Sequence, residues 1–236
     1  MSVTETTVNL TGTRLEFPSY ARGFAAMHDA MRRDAGRLVA AVLDSPSDAA
    51  GRGPSALARW FDHFEAVIEH HHRCEDEVVW PGLEGIIAAG ECGDEGSAFL
   101  DARLRLLDEH QELDAAMAAV RTALHAPSTV GDRYDVARHF DACLDGHLDR
   151  EEAAVFPLLT AHVSEEQFAV LEHAVVAMTP LKAMAFTVPW IVDGASPDVI
   201  AMVADGLPLP IRAMNRLVFQ PRYRRMVGAV TGEQAS

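Results

Sequence analysis

HFEAVIEHHHRCEDEVVWPGL (63–83) and HFDACLDGHLDREEAAVFPLL (139–159) align without a gap. Both begin His-Phe, both place a histidine eight residues on, both continue as His-x-x-x-Glu, and both carry a proline six residues past the glutamate. An i, i+4 pair lies on one side of a helix, one turn apart. His71 with Glu75, and His147 with Glu151, therefore each project an imidazole and a carboxylate in one direction. The segments ahead of the two copies match more loosely, MHDAMRRDAGRL (27–38) against EHQELDAAMAAV (109–120), and set His28 and His110 in equivalent places. Two helical hairpins related by a pseudo-twofold axis are the natural reading.

Outward from these segments, hydrophobic spacing predicts four helices. Phe24, His28, Met31, Ala35, Leu38 and Val42 repeat at alternating steps of four and three, as in the seam of a bundle helix. The second helix opens near Pro54, puts Phe64, Val67, His71, Glu75 and Val78 on one face, and bends or ends at Pro81. After a loop at GECGDEGS (90–97), the third carries Leu100, Leu107, His110, Asp114, Met117 and Leu124. The fourth carries Phe140, Leu144, His147, Glu151 and Ala154 and stops near Pro157. Short connections, including SPSDAAGRGP (45–54) and HAPSTVGD (125–132), make this an all-α, antiparallel four-helix bundle. It spans residues 19–162, after an N-terminal arm (1–18) and before a helical extension (163–236) that Ser164 and Gln167 open as a capping box. The apolar window 174–192 contains Pro180, Lys182 and Pro189, so it reads as a buried helical hairpin rather than a membrane span.

Four helices thus send four imidazoles and two carboxylates towards one interior: His28, His71, Glu75, His110, His147 and Glu151. A lone seam histidine is usually a hydrogen-bonded core residue. Two buried carboxylates are different, because an unpaired buried charge costs several kcal/mol. No seam lysine or arginine is placed to neutralise them, whereas a pair of cations would be. Mixed imidazole and carboxylate donors suit iron, manganese or zinc, and symmetric carboxylates suit bridging two ions. Iron is favoured over manganese and zinc as the usual occupant of such bundles.

The order His28, His71-x-x-x-Glu75, His110, His147-x-x-x-Glu151, with Trp80-Pro81 and Phe156-Pro157 following, resembles the hemerythrin-like (HHE cation-binding) domain family. The resemblance implies an oxygen-bridged di-iron centre with Glu75 and Glu151 bridging, and reaction with oxygen, peroxide or nitric oxide. The extension resembles that of actinobacterial members. Oxygen-carrying hemerythrins use five histidines, one of them paired with the third-helix histidine, where this chain has Asp114. Their last carboxylate is an Asp five residues after its histidine, where this chain has Glu151 at four. Four histidines with two shared carboxylates would leave both metals open. That favours di-iron oxidoreductase chemistry, peroxide decomposition or an oxidase reaction, over reversible oxygen carriage. Sensing of oxygen, nitric oxide or redox state, and iron storage or delivery, are the alternatives.

Among the remaining candidates, His72 reads as exposed or supporting rather than a fifth donor, and His70 as exposed. His63 and His139 sit two turns from the donor histidines and read as packing residues. Tyr20 reads as a core tyrosine, and Asp114 as either orienting an imidazole or solvated. Gly146 reads as a point of close helix approach, and Arg222, Arg224 and Arg225 as solvated or helix-terminal. A net charge of −15 argues against nucleic acid and anionic membranes as partners. Three cysteines without a CxxC pair, and an N-terminus without a basic start and apolar run, point to a reducing, cytoplasmic setting. The sequence sets no oligomeric state.

Overall fold

The computed structural model describes residues 4–8, 14–44, 55–90 and 92–232. The fold is all-α. The four bundle positions are filled by α1 (Arg22–Asp44), the pair α2 (Ala56–Cys74) and α3 (Trp80–Ala89), α4 (Gly93–His125), and α5 (Val130–His162). α1 packs on α2 and α5, and α4 packs on α2 and α5, which closes the ring of four. The loop 45–54, with Pro54, lies outside the described residues; α2 is opened by Ser55, whose hydroxyl accepts from the Ala58 N–H at 3.0 Å. Thr129 and Asp132 form a capping box at the start of α5.

The second bundle helix does not end at Pro81. Between α2 and α3 the chain makes a π-turn over Glu75–Val79, where the Trp80 N–H reaches the Glu75 carbonyl five residues back. This one-residue surplus carries the helix past the proline, which takes a first-turn place in α3. α5 likewise runs through Pro157 to His162. Ala153 and Pro157 are both exposed, so the carbonyl freed by the proline falls on the solvent side. α4 begins at Gly93, earlier than the loop expected at 90–97. Its buried stripe is Phe99, Leu106, His110, Leu113, Met117, Val120 and Leu124, while Leu100 is 43 % exposed and Asp114 lies in solvent.

The described part of the N-terminal arm is structured. β1 (Thr4–Val8) and β2 (Arg14–Pro18) pair antiparallel, Thr4 opposite Pro18. β2 lies on α5, and Phe17 meets Phe156 with ring centroids 5.0 Å apart. The strands are too short for alternation to stand out in the sequence, and burial of Phe17 rather than strand propensity holds them.

Beyond the bundle follow α6 (Glu165–Met178), α7 (Leu181–Ile191), α8 (Pro197–Gly206), α9 (Leu209–Met214), a second π-turn (Asn215–Phe219) and α10 (Gln220–Thr231). Ser164 and Gln167 form the capping box of α6. α6 buries only Phe168, so the expected buried hairpin is realised by α7 alone, through Phe186, Val188, Pro189 and Trp190. No described helix is long and apolar enough to cross a membrane. The apolar interior forms two clusters. One contains Leu38, Phe61, Phe64, Phe140, Leu144 and Trp190. The other contains Phe17, Trp80, Leu83, Phe99, Phe156 and Leu159. Each fully buried aromatic or leucine stabilises the fold by about 1.5–3 kcal/mol.

Candidate metal centre

The histidines and glutamates singled out above converge in the bundle interior. His28, His147, Glu75 and Glu151 have no exposed surface, and His110 is buried. Donor atoms of His28, His71, Glu75 and Glu151 lie within 4.8 Å of one another. A second group, to the same limit, consists of His72, His110 and His147. His72 is therefore not exposed. It is 4 % accessible and stacks on His110 with ring centroids 4.1 Å apart and planes 9° from parallel. Adjacent residues on α2 point about 100° apart, and here the cluster is broad enough to receive both.

The two carboxylates each span the two groups. Glu75 Oε1 is 2.7 Å from His71 Nε2, and its Oε2 is 3.5 Å from His110 Nε2. Glu151 Oε1 is 3.6 Å from His28 Nε2, and its Oε2 is 3.4 Å from His147 Nε2. All these oxygen and nitrogen atoms, and both ring nitrogens of His72, are buried without a hydrogen-bond partner among the described residues. So many inward-facing lone pairs in one place call for electrophiles that the protein itself does not supply.

Outer carboxylates fix which nitrogen faces inward. A carboxylate accepts only, so the ring nitrogen facing it carries the proton and the other is left with a free lone pair. His28 Nδ1 donates to Glu152 Oε1 at 2.9 Å, His110 Nδ1 to Asp76 Oδ2 at 3.3 Å, and His147 Nδ1 to Glu109 Oε2 at 3.2 Å. Arg32 Nη1 holds Glu152 at 2.6 Å, and Arg105 and Arg150 hold Glu109 at 2.8 and 2.6 Å. The repeat reaches this outer layer: Asp76 and Glu152 are the residues directly after Glu75 and Glu151. The sequence reading missed them, and the acid following each glutamate in both copies was the signal. Asp114, the orienting acid considered instead, points to solvent.

Burial and mutual contact shift the groups of the cluster in opposite directions; burial lowers His147, but Glu109 and Glu151 outweigh it and raise the imidazole to about 8. Burial, and then Glu151, push the Glu75 carboxyl well above the usual carboxylate range. Burial also works against the Glu151 carboxylate, but His28 and His147 outweigh it and hold the group below that range. Burial, and next His28, bring His71 down to about 3. Burial, with His110 beside it, lowers His72 well below the ordinary imidazole value. Both imidazoles are thus neutral donors at pH 7, the form that binds metal.

The other candidates lie apart. Tyr20 is half-buried, with its hydroxyl 2.8 Å from the Leu159 carbonyl. His139 is exposed beside Cys143, and His63 stacks on Phe186. His70 is half-buried against Thr179 Oγ1 at 3.0 Å. A Cβ on Gly146 would first meet the Arg150 side chain of its own helix.

Residues 21–102 match the family described as the Hemerythrin HHE cation binding domain. The match covers His28, His71, His72, Glu75 and Asp76, and the fold brings His110, His147 and Glu151 to the same place. Comparison with curated proteins and with solved structures gave no match.

Proposed function

Taking a hemerythrin-type, metal-binding chain as the premise, we propose that it holds two iron ions that react with small oxygen species: dioxygen, peroxide or nitric oxide. The observation that carries this reading is the set of buried, partnerless donor atoms on five histidines and two glutamates, with each glutamate reaching both groups. His72, His110 and His147 would hold one ion, His28 and His71 the other, and Glu75 and Glu151 both. A bound iron pair supplies one- and two-electron redox chemistry. Manganese or zinc fits the donor set less well only by the habit of such bundles.

The chain's own residues do the rest. Glu109, Asp76 and Glu152 set the imidazole tautomers, and Arg32, Arg105 and Arg150 keep Glu152 and Glu109 charged. The two apolar clusters exclude bulk water. With His72 among the donors, the premise of two equally open metals falls. The His28 and His71 side has one imidazole fewer, and Phe24 lies against it, 4.4 Å from His28 and 6.2 Å from His71. A donor-poor position beside an aromatic wall favours uptake of one small, weakly charged ligand there, with peroxide decomposition as the catalytic form of the same reading.

The test is iron analysis of the purified protein, with optical spectra before and after peroxide and nitric oxide. Bound iron near two per chain and ligand-dependent bands are expected, both lost in Glu75→Ala. An iron-loaded protein whose spectrum ignores both reagents, and which removes peroxide no faster than Glu75→Ala, would overturn the proposal.

A further inference from the structure

A cavity of about 220 Å³ lies between α2 and the C-terminal helices α7 and α10. None of the clustered histidines or glutamates lines it. Phe186, Phe219, Tyr223, Val67 and Met226 give it an apolar, partly aromatic wall, with polar groups at its rim. His63 stacks on Phe186 at its edge, 5.0 Å between centroids and 15° between planes.

The charge at this place runs against that of the molecule. The chain has 35 acidic and 20 basic residues. No Asp or Glu lines the cavity, yet Lys182 and Arg222 both do. Neither forms a hydrogen bond or ion pair with any described residue. Arg222 is exposed in the first turn of α10, as the sequence reading of a solvated or helix-terminal residue has it, and it also faces this cavity. Lys182 also sits in the first turn of α7, an 11-residue helix whose N-cap is Pro180. Pro180 offers no side-chain cap, and no acid lies in that first turn. The positive end of the helix dipole therefore adds to the two cations.

We propose that this cavity binds a small aromatic carboxylate, its ring between the aromatic walls and its carboxylate between Lys182, Arg222 and the start of α7. Two cations and an uncapped helix end call for one negative group, while flat apolar walls call for a planar body. The site is separate from the metal centre and does not depend on what that centre does.

The test uses the full-length, iron-loaded chain with 3-phenylpropanoate as probe and the uncharged 3-phenylpropanamide as control, by calorimetry. Saturable binding of the acid is expected, weakening with added salt. Affinity should fall about ten-fold or more for the amide, for Lys182→Met and for Arg222→Met. Both side chains are exposed, so these variants should melt with the parent. Lys182 is the chain's single lysine, which gives a second readout. Its acetylation, followed by mass spectrometry, should slow several-fold when the acid is present. Absence of saturable binding, equal binding of acid and amide, or unchanged affinity in both variants would each overturn the proposal.

Discussion

Trp190 Nε1 donates a 2.8 Å hydrogen bond to Asp34 Oδ2, joining residues 156 positions apart. Asp34 is fully buried on α1, and its other oxygen accepts from Arg33 Nε at 2.9 Å and Arg37 Nη1 at 2.5 Å. Arg37 continues to Asp193 at 2.9 Å, and Tyr223 donates to the same Asp193 oxygen at 3.0 Å. One buried carboxylate on the bundle thus ties down α7, the turn after it, and α10.

Removing that carboxylate leaves two arginines and an indole N–H without their acceptor. Asp34→Ala should destabilise the protein by about 3–5 kcal/mol. Protease cleavage should concentrate between residues 164 and 236, because the extension loses its anchor first. Unchanged melting and cleavage would mean the hub is dispensable.

His72 separates a five-imidazole centre from the four-imidazole one that spacing alone suggests. His72→Ala should retain roughly half the parent's iron, or bind it with about 10–100-fold lower affinity. His63→Ala, on the same helix but outside the cluster, should leave iron content unchanged. Full iron retention in His72→Ala would reduce that residue to a stacking partner of His110.

The orienting acids make a graded prediction. Glu152→Gln and Glu109→Gln each retain size but weaken the proton acceptor for His28 or His147. A loss of about 10–100-fold in metal affinity is expected for each. Asp114→Asn, altering a solvent-facing acid, should show none. Competition against a chelator of known affinity reads all three.

Alkaline titration examines how the N-terminal segment grips the bundle. Burial, then Glu165, push the Tyr20 hydroxyl up to about 12, and burial, then Asp34, raise Tyr223 as well. A phenol with a raised folded-state pKa favours the native state fully below its unfolded value near 10. That contribution is lost as pH rises through the folded value. Stability should therefore fall between pH 10 and about 12, and Tyr20→Phe should flatten the fall while costing about 1 kcal/mol at neutral pH. Ultraviolet detection of phenolate in the parent and variant follows the same event directly.

The bundle and most of the site were legible because they depend on periodicity. His71 with Glu75, repeated as His147 with Glu151, shows a shared face without any knowledge of the fold. What escaped depends on local departures from a regular helix or on distant contacts. Pro81 reads as a bend or an end, since nothing in the sequence announces a surplus residue that lets the helix continue. A strict repeat carried back from His110 puts the α4 stripe at Leu100 and Leu107, one residue off the buried Phe99 and Leu106. Nothing in the spacing sets Asp34 apart from the other acids, and its role emerges only when Trp190 is folded onto it.

The two halves of the repeat have also stopped being equivalent. Leu148 stands where His72 would recur, and only the first copy carries the π-turn. A symmetric pair of sites would fill with two equal affinities. Here the three-imidazole side should fill first and the two-imidazole side second, so added iron should titrate in two resolved steps. On the proposed two-ion reading, a one-ion protein lies between those steps, with its second seat open to a different metal. The composition of the finished pair would then be set by the order in which metals are offered, as well as by what the cell holds.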